Sequence, residues 1–287
     1  MTPSANEKSF DIEFGPSETI NHLHCPSLRR FEKNWMVKGV WKPHMLIGQA
    51  VSEVLAVYMK DPTESGLVRG LEKANVVLKR GYVEGEEWTL DGLQSLLKKG
   101  VEAAVETTLA EILTNEKVVG TQLSIGRGRV DLVTTPRVQS PTGPMDYLIV
   151  TDDKTSIQKA SRYLNQALEE AELSWQLWDY AWRVQNYYSR PVKYVRIHQL
   201  VLTPKPKCYL SDLYPIAPEN LAQWAYSAQQ TWNVMAEDDG LKFEDLEMNW
   251  TWCKNKYGKC PAFDACHVAL RQEEAMSNFY DMKGDNV

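Results

Sequence analysis

The residues best placed to do chemistry lie between Val130 and Thr155. Asp131 sits in the β-like run Val-Asp-Leu-Val-Thr-Thr. After a turn-rich gap, the apolar run Tyr147 to Thr151 leads into Asp152-Asp153-Lys154. Two carboxylates on adjacent strands can supply oxygen ligands to a hard divalent cation. Side chains alternate along a strand with period 2, so Lys154 shares a face with Asp152. Its ammonium could orient a water or meet charge developing on a phosphate. An Asp-x-Lys by itself is common by chance, and an aspartate at a strand end is often a turn or cap residue. The weight therefore falls on the surrounding elements.

An apolar strand ahead of Asp152 puts the charges at a strand's carboxyl end, where open α/β sheets hold ligands. Farther on, Gln176 and Tyr180 are four residues apart in Gln-Leu-Trp-Asp-Tyr, so they share one face of a helix. Upstream, apolar residues at helical spacing predict a helix over 46–59, followed by another over 67–80. A long helix is expected from Thr89 to Asn115, in two pieces around Gly100. The stretch from Val118 to Thr135 predicts two strands joined near Gly126-Arg127-Gly128. Residues 157–189 read as helical, Val192 to Thr203 as a strand rich in β-branched residues, 204–216 as a Pro-rich loop, and Pro218 to Ala236 as a helix. Cys25-Pro26-Ser27 predicts a helix start, after a polar lead-in over residues 1–20. The order of elements predicts an α/β core with a mixed sheet flanked by helices.

The chain has 287 residues, 43% hydrophobic and 24% charged, enough to bury a sizeable core. Ten Trp and thirteen Tyr supply packing and, at the surface, stacking area. With a net charge of −6 there is no global basic field, so nucleic-acid binding would need a local basic strip and bound cations. No apolar run is long enough to span a membrane, and no apolar leader opens the sequence. These point to an intracellular, cytoplasmic protein, in which structural disulfides are not expected. Five cysteines then need another explanation.

The series GRGRVD, IVTDDKT and QLWDY resembles the PD-(D/E)XK nuclease superfamily, specifically its RecB-like exonuclease branch. The resemblance covers about residues 45–203 in order. It implies a restriction-endonuclease-like α/β core and a Mg²⁺- or Mn²⁺-dependent DNA nuclease, as in recombination, repair or CRISPR-type processing. Asp131 and Asp152 would be the metal-binding carboxylates, Lys154 the catalytic lysine, and Gln176 and Tyr180 supports of the site and the DNA. The branch often carries a Gly-x-x-x-His helix whose histidine binds metal; here Gly48 is followed at that spacing by Ser52. His44 lies eight residues earlier, about 80° off that face. Glu102 or Glu106 is a candidate to complete the shell.

Cys253, Cys260 and Cys266 form a tight set, with Cys25 far upstream. Such thiols can bind a metal centre. Iron–sulfur members of the branch have one cysteine before the core and three after it, which implies a 4Fe–4S cluster here. Zinc, with His24 or His267 as a further ligand, and free buried thiols are the alternatives. Cys208 fits no cluster spacing. A single nuclease domain over 1–287 is expected, its N-terminal segment joined to residues 204–287 through the cluster. Arg29, Arg30, Arg127, Arg129, Lys159 and Arg162 are the candidate DNA contacts, from their closeness in sequence to the site. The rival expectation is a catalytically weakened DNA-binding or assembly protein, or a subunit active only with a helicase- or integrase-type partner. Oligomers and a phage origin are compatible with all of these.

Overall fold

The computed structural model describes residues 14–37, 43–82, 88–137, 139–140, 143–144, 146–157, 174–249, 251, 253–255, 258–260, 262–267 and 280–282. The chain divides into two compact units, one formed by residues 1–10 and 40–221, the other by 11–39 and 222–287.

The first unit is α/β. Four helices come first: α1 (Pro43–Lys60), α2 (Glu64–Gly81), α3 (Leu90–Glu106) and α4 (Thr108–Asn115). Thr63 and Thr89 cap α2 and α3, their hydroxyls accepting from the N–H of Gly66 and Gly92. The long hairpin β1 (Glu116–Ile125) and β2 (Gly128–Pro136) follows, and then β3 (Leu148–Ser156). Next are α5 (Trp175–Tyr188), β4 (Val192–Val201), and two short edge strands, β5 (Lys207–Leu210) and β6 (Tyr214–Pro215). These six strands form one mixed sheet in the order β1-β2-β3-β4-β5, with β6 also on β4. Only β3 and β4 run parallel; the other pairs are antiparallel.

The expected element order holds among the described residues, with residues 158–173 of the helix expected over 157–189 lying outside them, and several boundaries change. The helix break falls at Thr107, whose φ of −123° and ψ of −95° leave the helical region, and not at Gly100. Gly100 is buried inside α3, where a Cβ would stand 2.0 Å from Leu202 Cδ2. It is a point of close packing rather than a break. Residues 204–216, expected as loop, contain β5 and β6; strands this short carry too little alternation to be recognised. Part of the lead-in expected over 1–20 is helical from Pro16.

One face of the sheet packs on α1 and α3. Ile47, Val51, Leu97, Val101, Leu132, Leu200 and Leu202 belong to that core and are almost fully buried. On β4 this face also carries Arg196, whose guanidinium forms two 2.7 Å bonds to Glu116 and donates from Nε to Thr151 Oγ1. A charge this deep is tolerated because it is paired and each of its three nitrogens has a partner. The other face is covered in part by α5, which is tied to the β1–β2 hairpin by Arg183. This fully buried residue pairs with Asp179 one turn back and donates to the Ile125 carbonyl. Gly128 makes room for it: a Cβ there would meet Arg183 Cδ and Nε at 3.1 Å.

In the second unit, helices Pro16–His24 and Pro26–Asn34 meet at Cys25, with Pro26 opening the second as the sequence predicts. Strand Trp35–Val37 pairs antiparallel with Tyr280–Met282. Most of helix Pro218–Asp238, a small hairpin at Lys254–Asn255 and Gly258–Lys259, and the short helix Phe263–His267 complete it. Among the described residues no helix is long and apolar enough to cross a membrane.

Candidate active site

The strand β3 does not stop at Thr151. It continues through Ser156, held by β4, so Asp152 and Lys154 lie within the sheet. Leu132 pairs with Thr151 across β2 and β3; one step further along that antiparallel register puts Asp131 opposite Asp152. Neighbours across a sheet share a face. Asp131 and Asp152 therefore meet on the face away from the α1–α3 core, together with Lys154.

Asp152 is 1% exposed. The Lys154 ammonium stands 2.6 Å from Asp152 Oδ2, a close ion pair on a buried carboxylate. Lys154 also donates to Gln176 Oε1 at 2.8 Å, and Gln176 Nε2 reaches Tyr180 Oη at 2.7 Å. Ser174 caps α5 by accepting from the Leu177 N–H, which fixes the first turn from which Gln176 projects. The site residues predicted from sequence thus form an unbroken chain of contacts: Asp131, Asp152, Lys154, Gln176, Tyr180.

The electrostatics follow from burial. Desolvation, then the like charges of Asp153 and Asp152, push the Asp131 carboxyl up to about 8. Burial alone would lower Lys154; the Asp152, Asp131 and Asp153 carboxylates outweigh it and hold the ammonium above its ordinary value. Desolvation and the Asp152 charge raise the Tyr180 phenol, which stays neutral and able to donate. Two carboxyl groups side by side on one face of the sheet, Asp131 and Asp152, fit the donor chemistry of a divalent cation.

Two supports were not read from the sequence. Asp131 accepts one bond on each oxygen, from the Asp153 N–H at 3.0 Å and from Gln122 Nε2 at 2.8 Å. Asp153 itself points to the opposite face, where Oδ1 lies 2.8 Å from His198 Nδ1, and His198 Nε2 lies 2.8 Å from Thr108 Oγ1. Strand alternation between Asp152 and Asp153 was a signal for this split of roles; nothing local pointed to His198 or Gln122.

Other expected residues lie elsewhere. Ser52 is half-buried on α1; His44 falls in the first turn of α1, its side chain outside the described residues. Glu102 is 44% exposed beside Lys98, and Glu106 is exposed on α3, so neither completes the acidic pair. Arg127 and Arg129 are exposed at the β1–β2 turn. Lys159 and Arg162 lie outside the described residues. Arg29 is corrected as a DNA contact: it is 2% exposed, and its guanidinium bonds Glu18, Asp239 and the Met235 carbonyl. Arg30 donates to the Asp238 and Leu241 carbonyls, closing the C-terminal end of helix Pro218–Asp238.

The four cysteines do come together. Cys25, Cys253, Cys260 and Cys266 line one tight cavity of the second unit, walled by Leu28, Met248 and Phe263. The Asn249 N–H points at Cys25 Sγ at 3.4 Å, and Cys253 Sγ lies 3.3 Å from His267 Nε2. Burial first, then neighbouring thiols, raise Cys253 and Cys260. Their donor chemistry suits a thiophilic metal. Among the described residues, however, no three His, Cys, Asp or Glu side chains are grouped to hold an ion as they stand. Cys208 lies apart on β5, against the Gly100 carbonyl, its thiol pushed up to about 11 by burial.

No protein-family model and no curated protein matches this chain. Among solved structures it is similar to a "putative exonuclease" from Eubacterium rectale, at 10% identity and a TM-score of 0.43, over 84% of this chain and 87% of that one. It is also similar to SSO0001, at 13% identity and a TM-score of 0.20, over 75% of this chain and 85% of that one. Fold and site together define the class: an α/β protein with an acidic pair and a lysine on the face of a mixed sheet away from the α1–α3 core.

Proposed function

We propose that this protein is a Mg²⁺- or Mn²⁺-dependent deoxyribonuclease, of the RecB-like kind its motifs resemble. One observation carries the proposal: the unbroken chain from Asp131 and Asp152 through Lys154 and Gln176 to Tyr180. Asp131 and Asp152 would hold the cation. When bound, the cation would supply a water of lowered pKa and neutralise charge on the phosphate. Lys154 does the rest from this chain's side. Its ammonium is fixed between Asp152 and Gln176. From there it offers a positive donor to the attacking water or to a phosphate oxygen. Gln176 sets the lysine's reach, and the neutral Tyr180 hydroxyl sets Gln176. Exonuclease action on DNA ends or single strands is the form the resemblance favours, with Arg127 and Arg129 as exposed phosphate contacts.

The test is cleavage of end-labelled single- and double-stranded DNA with Mg²⁺ or Mn²⁺. Asp152→Ala and Lys154→Ala should each lower cleavage by about a hundred- to a thousandfold, roughly the effect of losing one charge-stabilising group, while DNA binding persists. Undiminished cleavage by either variant overturns the mechanism. Ser52, where the branch carries a metal-binding histidine, favours a second possibility: a DNA-binding or assembly protein with degraded catalysis. Binding without cleavage, with and without a helicase- or integrase-type partner, would select it.

We further propose that Cys25, Cys253, Cys260 and Cys266 hold a 4Fe–4S cluster, whose contribution would be to staple the second unit together. Iron, sulfide and zinc analysis of anaerobically purified protein, with its absorption spectrum, distinguishes the cluster from zinc. Colourless protein with neither metal would leave the thiols free.

A further inference from the structure

Gln122 is the residue of the site region whose backbone is out of place. Its φ is 47°, and of the described residues only one other that is not glycine, Ser189 at the end of α5, has a positive φ. Ser189 is accounted for as a helix cap. Gln122 stands in the middle of β1, just past a shift of register at Val118 and Gly120. Left-handed backbone is unfavourable for a side chain such as glutamine and persists where the surroundings demand it. Thr121 pairs with Leu132 and Leu123 with Val130, so Gln122 is set opposite Asp131. Its Nε2 donates to Asp131 Oδ1 at 2.8 Å, while its Oε1 is buried and accepts no hydrogen bond from the described residues. A buried amide oxygen left without a donor calls for an explanation, and beside an acidic pair an ion or its water is the natural one.

We infer that Gln122 is a positioning residue of the cation site. Its amide N–H orients Asp131, and its free oxygen takes a water of the bound cation's hydration shell. The strained backbone is what turns the amide inward. The inference rests on the cation reading of the acidic pair and adds to it a neutral oxygen from β1.

The test uses the full chain without DNA and Mn²⁺ alone as probe, with affinity read by titration and folding by thermal unfolding. Wild type and Asp152→Ala come first: binding that Asp152→Ala abolishes establishes the acidic pair as the site, and its absence overturns the cation reading and this inference together. Gln122→Leu and Gln122→Gly then separate the two. Each should weaken Mn²⁺ binding by about tenfold or more, as is usual for groups that orient ligands. Gln122→Gly, which releases the strained φ, should unfold at a temperature no lower than wild type. Wild-type Mn²⁺ affinity in the glycine variant overturns this inference alone.

Discussion

At the scale of the residue, Asp131 sets the pH behaviour of the site. Without a cation its carboxyl titrates at about 8, against about 3.8 for a free aspartate. A raised carboxyl contributes stability below the free value, and loses it as pH climbs through about 8. A cation needs the deprotonated form, so binding must displace that proton. The expected outcome is Mn²⁺ affinity that rises between about pH 6 and pH 8, by at most about tenfold per pH unit, and levels above. Thermal stabilisation by Mn²⁺ should grow in the same direction. Affinity that is flat across that window would show that binding displaces no proton from Asp131 there. Asp152, Lys154, Gln176 and Tyr180 were legible because period 2 and period 3.6 fix which residues share a face. Gln122 was not, because a left-handed residue inside a strand has no signature unless it is glycine. Arg29 was misjudged because charge and nearness in sequence say nothing of burial: its partners Glu18 and Asp239 lie on either side of it in the chain.

Elements show the same division. The strand–strand–strand–helix–strand order and the Gly126–Gly128 turn follow from alternation and punctuation, both local properties. The break between α3 and α4 does not. Gly100 has the lower helix propensity, yet the chain stays helical there because Leu202 closes on it, and Thr107 breaks instead. Gly100→Ala is expected to destabilise the protein by about 1–3 kcal/mol, the usual range for overpacking a core. Propensity alone would have the alanine stabilise. Urea unfolding decides the sign. The C-terminal limit of β3 was also hidden: Asp152, Asp153 and Lys154 are poor strand formers, and only parallel pairing with β4 carries the strand through them.

For the whole molecule, the cysteine spacing foretold that the far ends of the sequence meet, and Cys25 does share a cavity with Cys253, Cys260 and Cys266. What spacing could not foretell is how much else in that unit is shared between the two ends. Ser27 bonds the Glu247 carbonyl, Asn249 bonds the His24 carbonyl, and Trp232 bonds Thr19. Cys260→Ala should therefore lower the thermal transition and remove any bound metal together. Loss of metal with unchanged stability would mean that these polar and apolar contacts suffice alone.

The first unit draws almost all its chain from one continuous run, whereas the second takes residues from both sides of it. Synthesis proceeds from the N-terminus, so helices Pro16–His24 and Pro26–Asn34 emerge first and wait. Arg29 can meet Glu18 at once, but its bond to Asp239 and the packing of Cys25 and Phe31 with Cys260, Ala262 and Ala265 wait until those residues are made. Until then this thiol-bearing segment lacks the C-terminal part of its core. A nascent chain stalled near residue 221 should thus hold a protease-resistant sheet and a protease-sensitive N-terminal segment.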